Sequence, residues 1–380
     1  MPADDPALAA ATRELVIAFP VYRTYIRTDG GGPEDRRVLE RAAALARQAL
    51  HDDVAGLAML PRLLEALCTP AADAAQRRDD ALAALQQLTP PVAAKAIEDT
   101  AFYRYGRLLS RNEVGADPGQ LASTVERFHG QCRARARDWP RALLATATHD
   151  HKRGEDARAR LATLSTDAAW WTQCVSGWRQ RNAALRPAPG PDAADESMLY
   201  QSLLGAWPPS LSPHDRDGLH ALHERLAGWQ QKALREAKRH SSWHAPDAAY
   251  ESACSTFLQR LFDDRAFVAD LHAAVERVAA SGALRALTQT LLRLTAPGIP
   301  DLYQGTEFWD HSLVDPDNRR AVDHGARAQA LRADAPLAAL LAQWRDGRIK
   351  QRLLARALDL RRALPGLFSE GEYLPLAVEG

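Results

Sequence analysis

Leu284, Leu287, Leu291 and Leu294 recur three and four residues apart, and Leu39, Ala42, Ala46 and Leu50 do the same far upstream. On a 3.6-residue helix that spacing gathers an apolar stripe on one face, whereas on a strand it would scatter the same side chains over both faces. Long amphipathic helices must therefore dominate the chain, each needing a surface to bury its stripe against.

Between the helical stretches lie short apolar runs of another kind. Residues 15–26 (LVIAFPVYRTYI) are rich in β-branched and aromatic side chains and lead to the breaker Asp29-Gly30-Gly31-Gly32-Pro33, which predicts a buried strand and then a loop. Residues 142–147 predict a second strand, and 298–307 (GIPDLYQGTE) follow the leucine-striped helix. Strands alternating with long helices predict an α/β protein with a parallel sheet and a large helical share. Residues 186–197 (RPAPGPDAADES) predict an exposed connector.

Composition excludes several partners. The 48 basic side chains balance 48 acidic ones, so no long-range field favours nucleic acid. Cys68, Cys132, Cys174 and Cys254 lie far apart with no C-x-x-C pair, which speaks against a zinc ribbon or a disulfide framework and for a reducing, cytoplasmic setting. The first residues carry aspartates where a signal peptide needs positive charge, and no apolar run approaches the roughly 18 residues of a membrane span. A soluble protein without a membrane partner is expected.

The most charged stretch is ATHDHKRGEDAR, residues 147–158, with eight ionisable side chains among the ten residues 149–158. A metal site would use His149 and His151, but alternate residues on an extended segment point to opposite faces, so no metal is expected. A helix start would set Glu155 and Asp156 at the positive end, with Arg158 and Arg160 solvated. A third reading places His149 and Asp150 on the rim of a catalytic pocket at the C-terminal end of a barrel strand.

Six segments in order, FPVYRTYI (19–26), AKAIEDTAFYRY (94–105), NEVGADP (112–118), RALLATATHDHKRGEDARARLATLS (141–165), KALREAKRHSSWHAPDAAYE (232–251) and PGIPDLYQGTEFWDHSLVDPDNRRAVD (297–323), resemble the maltooligosyltrehalose synthases. These enzymes belong to the α-amylase superfamily, glycoside hydrolase family 13. The resemblance implies the C-terminal part of a (β/α)₈ TIM barrel, strands six to eight, with large helical insertions and the start of a C-terminal β-domain. It sets a partial catalytic barrel at 1–325, with a helical subdomain at roughly 160–290, and a helix leading into a truncated β-domain at 326–380.

The implied reaction is an intramolecular transglucosylation on a maltooligosaccharide or other α-glucan. The reducing-end α-1,4 link becomes α,α-1,1 without a cofactor, and a trehalose-releasing hydrolase then acts on the product. In the resemblance, Asp150 matches the transition-state-stabilising aspartate and His149 the adjacent sugar-binding histidine. Lys152 and Arg153 match basic positions near the acceptor glucose, with a solvated lysine as the alternative for Lys152. Lys95, Glu98 and Asp99 fall in a signature that binds sugar hydroxyls or forms a structural ion-pair set. One of Tyr103 and Tyr105 would stack on a glucose ring while the other packs. Tyr303 opens the YQGTE turn, in which Glu307 is structural. Trp170, Trp171, Trp178 and Trp243 offer stacking platforms, although core roles are the commoner use.

No segment matches the superfamily's nucleophile or acid/base motif, so the chain is expected to be inactive alone. An amylase-like hydrolase, another transglucosylase, or a non-catalytic glucan-binding or helical remnant are the alternatives.

Overall fold

The computed structural model describes residues 5–69 and 75–376. Two compact units divide the chain, Met1–Ala101 and Phe102–Gly380, a different cut from the boundary at 325 drawn from the motifs.

The first unit contains α1 (Pro6–Ile17), α2 (Pro33–Ala49), α3 (Val54–Cys68) and α4 (Ala75–Ala93). Asp5 starts α1, its carboxylate accepting from the Ala7 and Leu8 amides, and Pro6 occupies the first turn, where its missing N–H costs nothing. The capped, alanine-rich start carries the helix through Leu15, Val16 and Ile17, so the strand expected over 15–26 does not form. Farther along that segment a side chain takes the place of a neighbouring strand. Gln86 Oε1 accepts from the Ile26 amide at 2.9 Å, and its Nε2 donates to the Ile26 carbonyl at 3.3 Å. In α2, Leu39, Ala42 and Ala46 are buried as their spacing predicts, in a core shared with Ala11, Leu15 and Leu60. A single π-turn, Ala94–Glu98, follows α4.

The second unit carries α5 (Val125–Asp138), α6 (Glu155–Ala162), α7 (Ala168–Arg181), α8 (Ala193–Ala206), α9 (Arg216–Ala237), α10 (Ala248–Asp263) and α11 (Arg265–Thr295). It ends with α12 (His324–Arg332), α13 (Leu337–Ala342), α14 (Arg348–Ala363) and α15 (Pro365–Ser369). Its core is centred on α8, whose residues Met198 to Ala206 are all buried, and takes in Leu161, Trp178, Phe257, Phe267 and Leu271. The segment expected as an exposed connector, 186–197, instead runs into α8. Asp192 caps that helix through the Ala194 and Asp195 amides, and Glu196, within it, is buried against Arg186.

The expected parallel sheet is present as a single pair among the described residues: β1 (Leu143–Leu144) beside β2 (Ile299–Pro300), with Leu143 opposite Ile299. The helix α11 spans 31 residues and turns Val268, Leu271, Val275, Ala279, Gly282 and Ala286 inward. Gly282 is needed there, because an added Cβ would lie 2.9 Å from the Cα of Arg160 on α6. The leucine stripe is only partly covered: Leu294 is buried, while Leu284 is 67% exposed. With Leu143, Leu144 and Leu292 it lines an open groove of about 1250 Å³.

At the chain's far end, the expected entry to a β-domain is helical through α15, and residues 371–376 have no regular structure. Residues 377–380 lie outside the described ones.

Candidate functional site

β1 and β2 run in the same direction, and the loops that leave their C-terminal ends meet. One loop carries Thr148 to Gly154; the other carries Tyr303 and continues to Asn318. His151 is fixed between them: its Nδ1 accepts from the Thr148 amide at 3.3 Å, its Nε2 lies 3.0 Å from Ser312 Oγ, and Tyr303 meets its ring edge-on at 5.8 Å. The carbonyl of His149 accepts from Asn318 Nδ2 at 3.0 Å and from Arg319 at 3.3 Å. Gly154 closes the turn, donating to the Ser312 carbonyl at 2.8 Å. A Cβ there would sit 2.5 Å from the Asp310 carbonyl oxygen.

The burial pattern overturns the expectation of a solvated helix start. From His151 to Arg160 every residue but Arg158 is buried, and Arg158 is only partly exposed. Burying this many charges is costly unless each is paired. On α6, Glu155 lies between Lys350 Nζ at 2.7 Å and Arg293 Nη1 at 2.6 Å. Asp156 takes Lys350 at 2.7 Å and the Asp310 amide at 2.5 Å. Burial raises the pKa of both carboxyls, but Glu155 has two cations beside it and is held down to about 2. Asp156 has one cation and its anionic neighbour Glu155, and burial pushes it up to about 7. Burial holds the His151 imidazole below its ordinary value, against the pull of Asp310 and Glu113. Arg160 is buried too, donating to the carbonyls of Leu204 and Trp207.

Against this buried frame, His149 is exposed and the Asp150 side chain keeps 49% of its surface. Lys152 is not the solvated lysine of the alternative reading: it is 3% exposed, with Nζ 3.8 Å from Asp150 Oδ1. Arg153 is also buried. Its pKa is pushed down to about 10 by that burial, with Tyr103 and Glu113 acting in the opposite direction. Tyr103 belongs to the core, whereas Tyr105 is 37% exposed, so one packs and the other faces solvent. Glu307 pairs with Arg327 at 3.2 Å, a structural role. Trp178 is core, Trp170 and Trp171 pack against it, and exposed Trp243 lies under the Arg235 guanidinium.

The structure thus brings together His149, Asp150, Lys152, Arg153 and Tyr303. Lys95 and Glu98 belong to the first unit, where Lys95 pairs with Asp99 and Glu98 accepts from the Tyr22 hydroxyl. What single-residue matching passes over is Glu113. Its carboxylate accepts the Lys152 amide at 2.9 and 3.1 Å and the Arg153 amide at 3.3 Å. Its motif, NEVGADP, is visible in the sequence; its partner is not.

Chemically, the arrangement is a partly exposed carboxylate and an imidazole on a rigid rim, with a buried ammonium behind them. A carboxylate so placed can accept hydrogen bonds from hydroxyl groups and stabilise positive charge that develops beside it.

No protein-family model matches the chain. Along 379 residues it is 38% identical to a protein described as a maltooligosyl trehalose synthase in two strains of Mycobacterium tuberculosis, covering 100% of this chain and 44% of that protein. The chain therefore spans less than half the length of these curated relatives. A solved maltooligosyltrehalose synthase from Arthrobacter ramosus superimposes with a TM-score of 0.77 at 34% identity, over 96% of this chain and 43% of that one. A hypothetical maltooligosyl trehalose synthase from Sulfolobus tokodaii gives 0.73 at 28% identity, over 97% and 45%.

Proposed function

We propose that this chain, whose whole length is homologous to part of the maltooligosyltrehalose synthases, carries the transition-state-stabilising and acceptor-holding portion of an intramolecular transglucosylase site. The reaction turns the reducing-end α-1,4 link of a maltooligosaccharide into an α,α-1,1 link, the work of a glucosylmutase. A trehalose-releasing hydrolase would consume the product, and the four free cysteines suit a cytoplasmic setting. The observation that carries this reading is Asp150: a half-exposed carboxylate beside exposed His149 at the head of a loop whose later residues, 151–154, are buried, beyond the C-terminal end of a parallel strand. In (β/α)₈ barrels that is where active sites gather, and we take β1 and β2 as two of the later strands of such a barrel.

In this mechanism, Asp150 hydrogen-bonds the hydroxyls of the glucose being cleaved and tightens its hold as the ring becomes oxocarbenium-like. His149 donates to a hydroxyl of the same ring. Lys152 keeps Asp150 aimed, and its ammonium faces the released glucose while that sugar turns to attack through its anomeric hydroxyl. The nucleophile and acid/base match no segment of this chain, so the chain by itself leaves maltopentaose unchanged.

The test grafts this chain in place of its counterpart in the Arthrobacter ramosus enzyme. There Asp150→Asn lowers kcat by about a hundredfold or more while maltopentaose affinity persists, because the lost interaction belongs to the transition state. Near-wild-type formation of the α,α-1,1 anomeric proton signal would refute the assignment. A second reading, glucan binding without turnover, is favoured if the parent graft binds maltopentaose and makes no product.

A further inference from the structure

We infer that Glu113 is a positioning residue for the Asp150 rim, a main-chain clamp that sets where Asp150, His149 and Lys152 stand. The inference rests on the transglucosylase reading above for its ligand, and on geometry alone for the clamp. Glu113 is 7% exposed, and its carboxylate receives two consecutive amides of the rim loop, Lys152 and Arg153, with a third from Val114 at 2.9 Å. Hydrogen bonds from backbone amides to an ionised carboxylate are among the stronger kinds, and a carboxylate with two oxygens can serve adjacent donors at once. A neutral residue of the same length, glutamine, offers one accepting oxygen in place of two and no charge.

The clamp is braced from behind. Arg158 Nε lies 3.3 Å from Glu113 Oε2 and 3.1 Å from the Arg153 carbonyl, while its Nη2 donates to the Thr146 carbonyl at the exit of β1. Glu113 therefore ties together the strand's end, the turn and the start of α6. The loop has other supports, at the His149 carbonyl and His151 before Lys152 and at Arg153 and Gly154 after it, but the Lys152 amide itself donates to Glu113. Removing Glu113 takes away the carboxylate that receives the Lys152 amide, and the Lys152 ammonium, 3.8 Å from Asp150, loses its fixed base. Geometry held to fractions of an ångström is what such a rim needs for binding and for catalysis.

The test compares the wild-type chain with Glu113→Gln and Glu113→Ala by amide hydrogen exchange and by NMR titration with maltopentaose. In Glu113→Gln the Lys152 and Arg153 amides lose protection while those of α8 and α11 keep theirs, and the maltopentaose Kd read at His149 rises about tenfold. Glu113→Ala shows the same local pattern, more strongly. Retained protection of both amides overturns the clamp. Lost protection with an unchanged Kd overturns the positioning role, leaving Glu113 a purely structural group. If wild-type chain binds no maltopentaose, the glucan reading fails on its own, and the amide arm still decides whether Glu113 holds the loop.

Discussion

His311 shows how tightly the site's frame constrains a single side chain. Its Nδ1–H donates to the Gly205 carbonyl at 3.1 Å, so Nε2 is the acceptor and takes a hydrogen from Arg160 Nη2 at 3.1 Å. A second proton would have to face that guanidinium. Burial first, and Arg160 next, hold the imidazole well below its ordinary range, whereas the unfolded chain titrates near 6.5. The folded pKa is depressed, so the stability that comes from keeping His311 neutral is present above about 6.5 and drains away as pH falls below it. Comparing wild type with His311→Asn by urea denaturation, the stability gap should be about 1 kcal/mol narrower at pH 5.5 than at pH 7.5. Asp156 titrates in the same window, but in both proteins, so it drops out of the comparison. Equal gaps at both pH values would show that His311 does not titrate with unfolding. Residues like this also mark the limit of reading a sequence. The charges at 151–160 look solvated because their partners, Glu113, Arg293, Asp310 and Lys350, are remote in sequence, and nothing local announces them. The placement of Asp150 and His149 is legible because standing beyond the end of a strand is a local property.

At the level of elements, α14 is joined to α6 by a fully buried ionic group. Lys350 has no exposed surface and serves Glu155, Asp156 and the Phe308 carbonyl. Removing one member of a buried ionic group leaves the rest uncompensated, which costs about 3–5 kcal/mol. Lys350→Met should destabilise the chain by that amount in equilibrium urea unfolding; a loss below about 1 kcal/mol would mean that water or Arg293 compensates for the missing cation. Elements with their own periodicity are easy to foresee. Glu34 to Leu50 reads as a helix and forms α2, and the stretch ending at Leu294 forms α11. Leu15 to Ile26 misleads because its β-branched residues end a helix that begins earlier, at Asp5 and Pro6, where alanines and a cap decide the conformation. The strand foreseen at 142–147 exists but shrinks to two residues, since it finds only β2, in the segment after 297, to pair with among the described residues.

For the molecule as a whole, the open groove beside α11 and β1 matters most. Leu143 is 70% exposed and Leu284 67%, on a chain with no net charge to keep copies apart. Purified chain should self-associate as concentration rises, and Leu284→Lys should shift it toward monomer in sedimentation or size-exclusion measurements. A concentration-independent monomer would show that the groove does not attract another apolar surface. The parallel pair has a further consequence, one of time. β1 and β2 are separated by about 150 residues of intervening chain, and parallel pairing cannot begin before the second strand exists. At ribosomal speeds of roughly 5–20 residues per second, β1 waits on the order of ten to thirty seconds for its partner to be made. During that interval the helices α6 to α11 can condense, while the rim that bears Asp150 is still without the loop that pins it. The order of synthesis thus lets the rim that bears Asp150 take shape only after α6 to α11 are made, with α12 to α15 still to come.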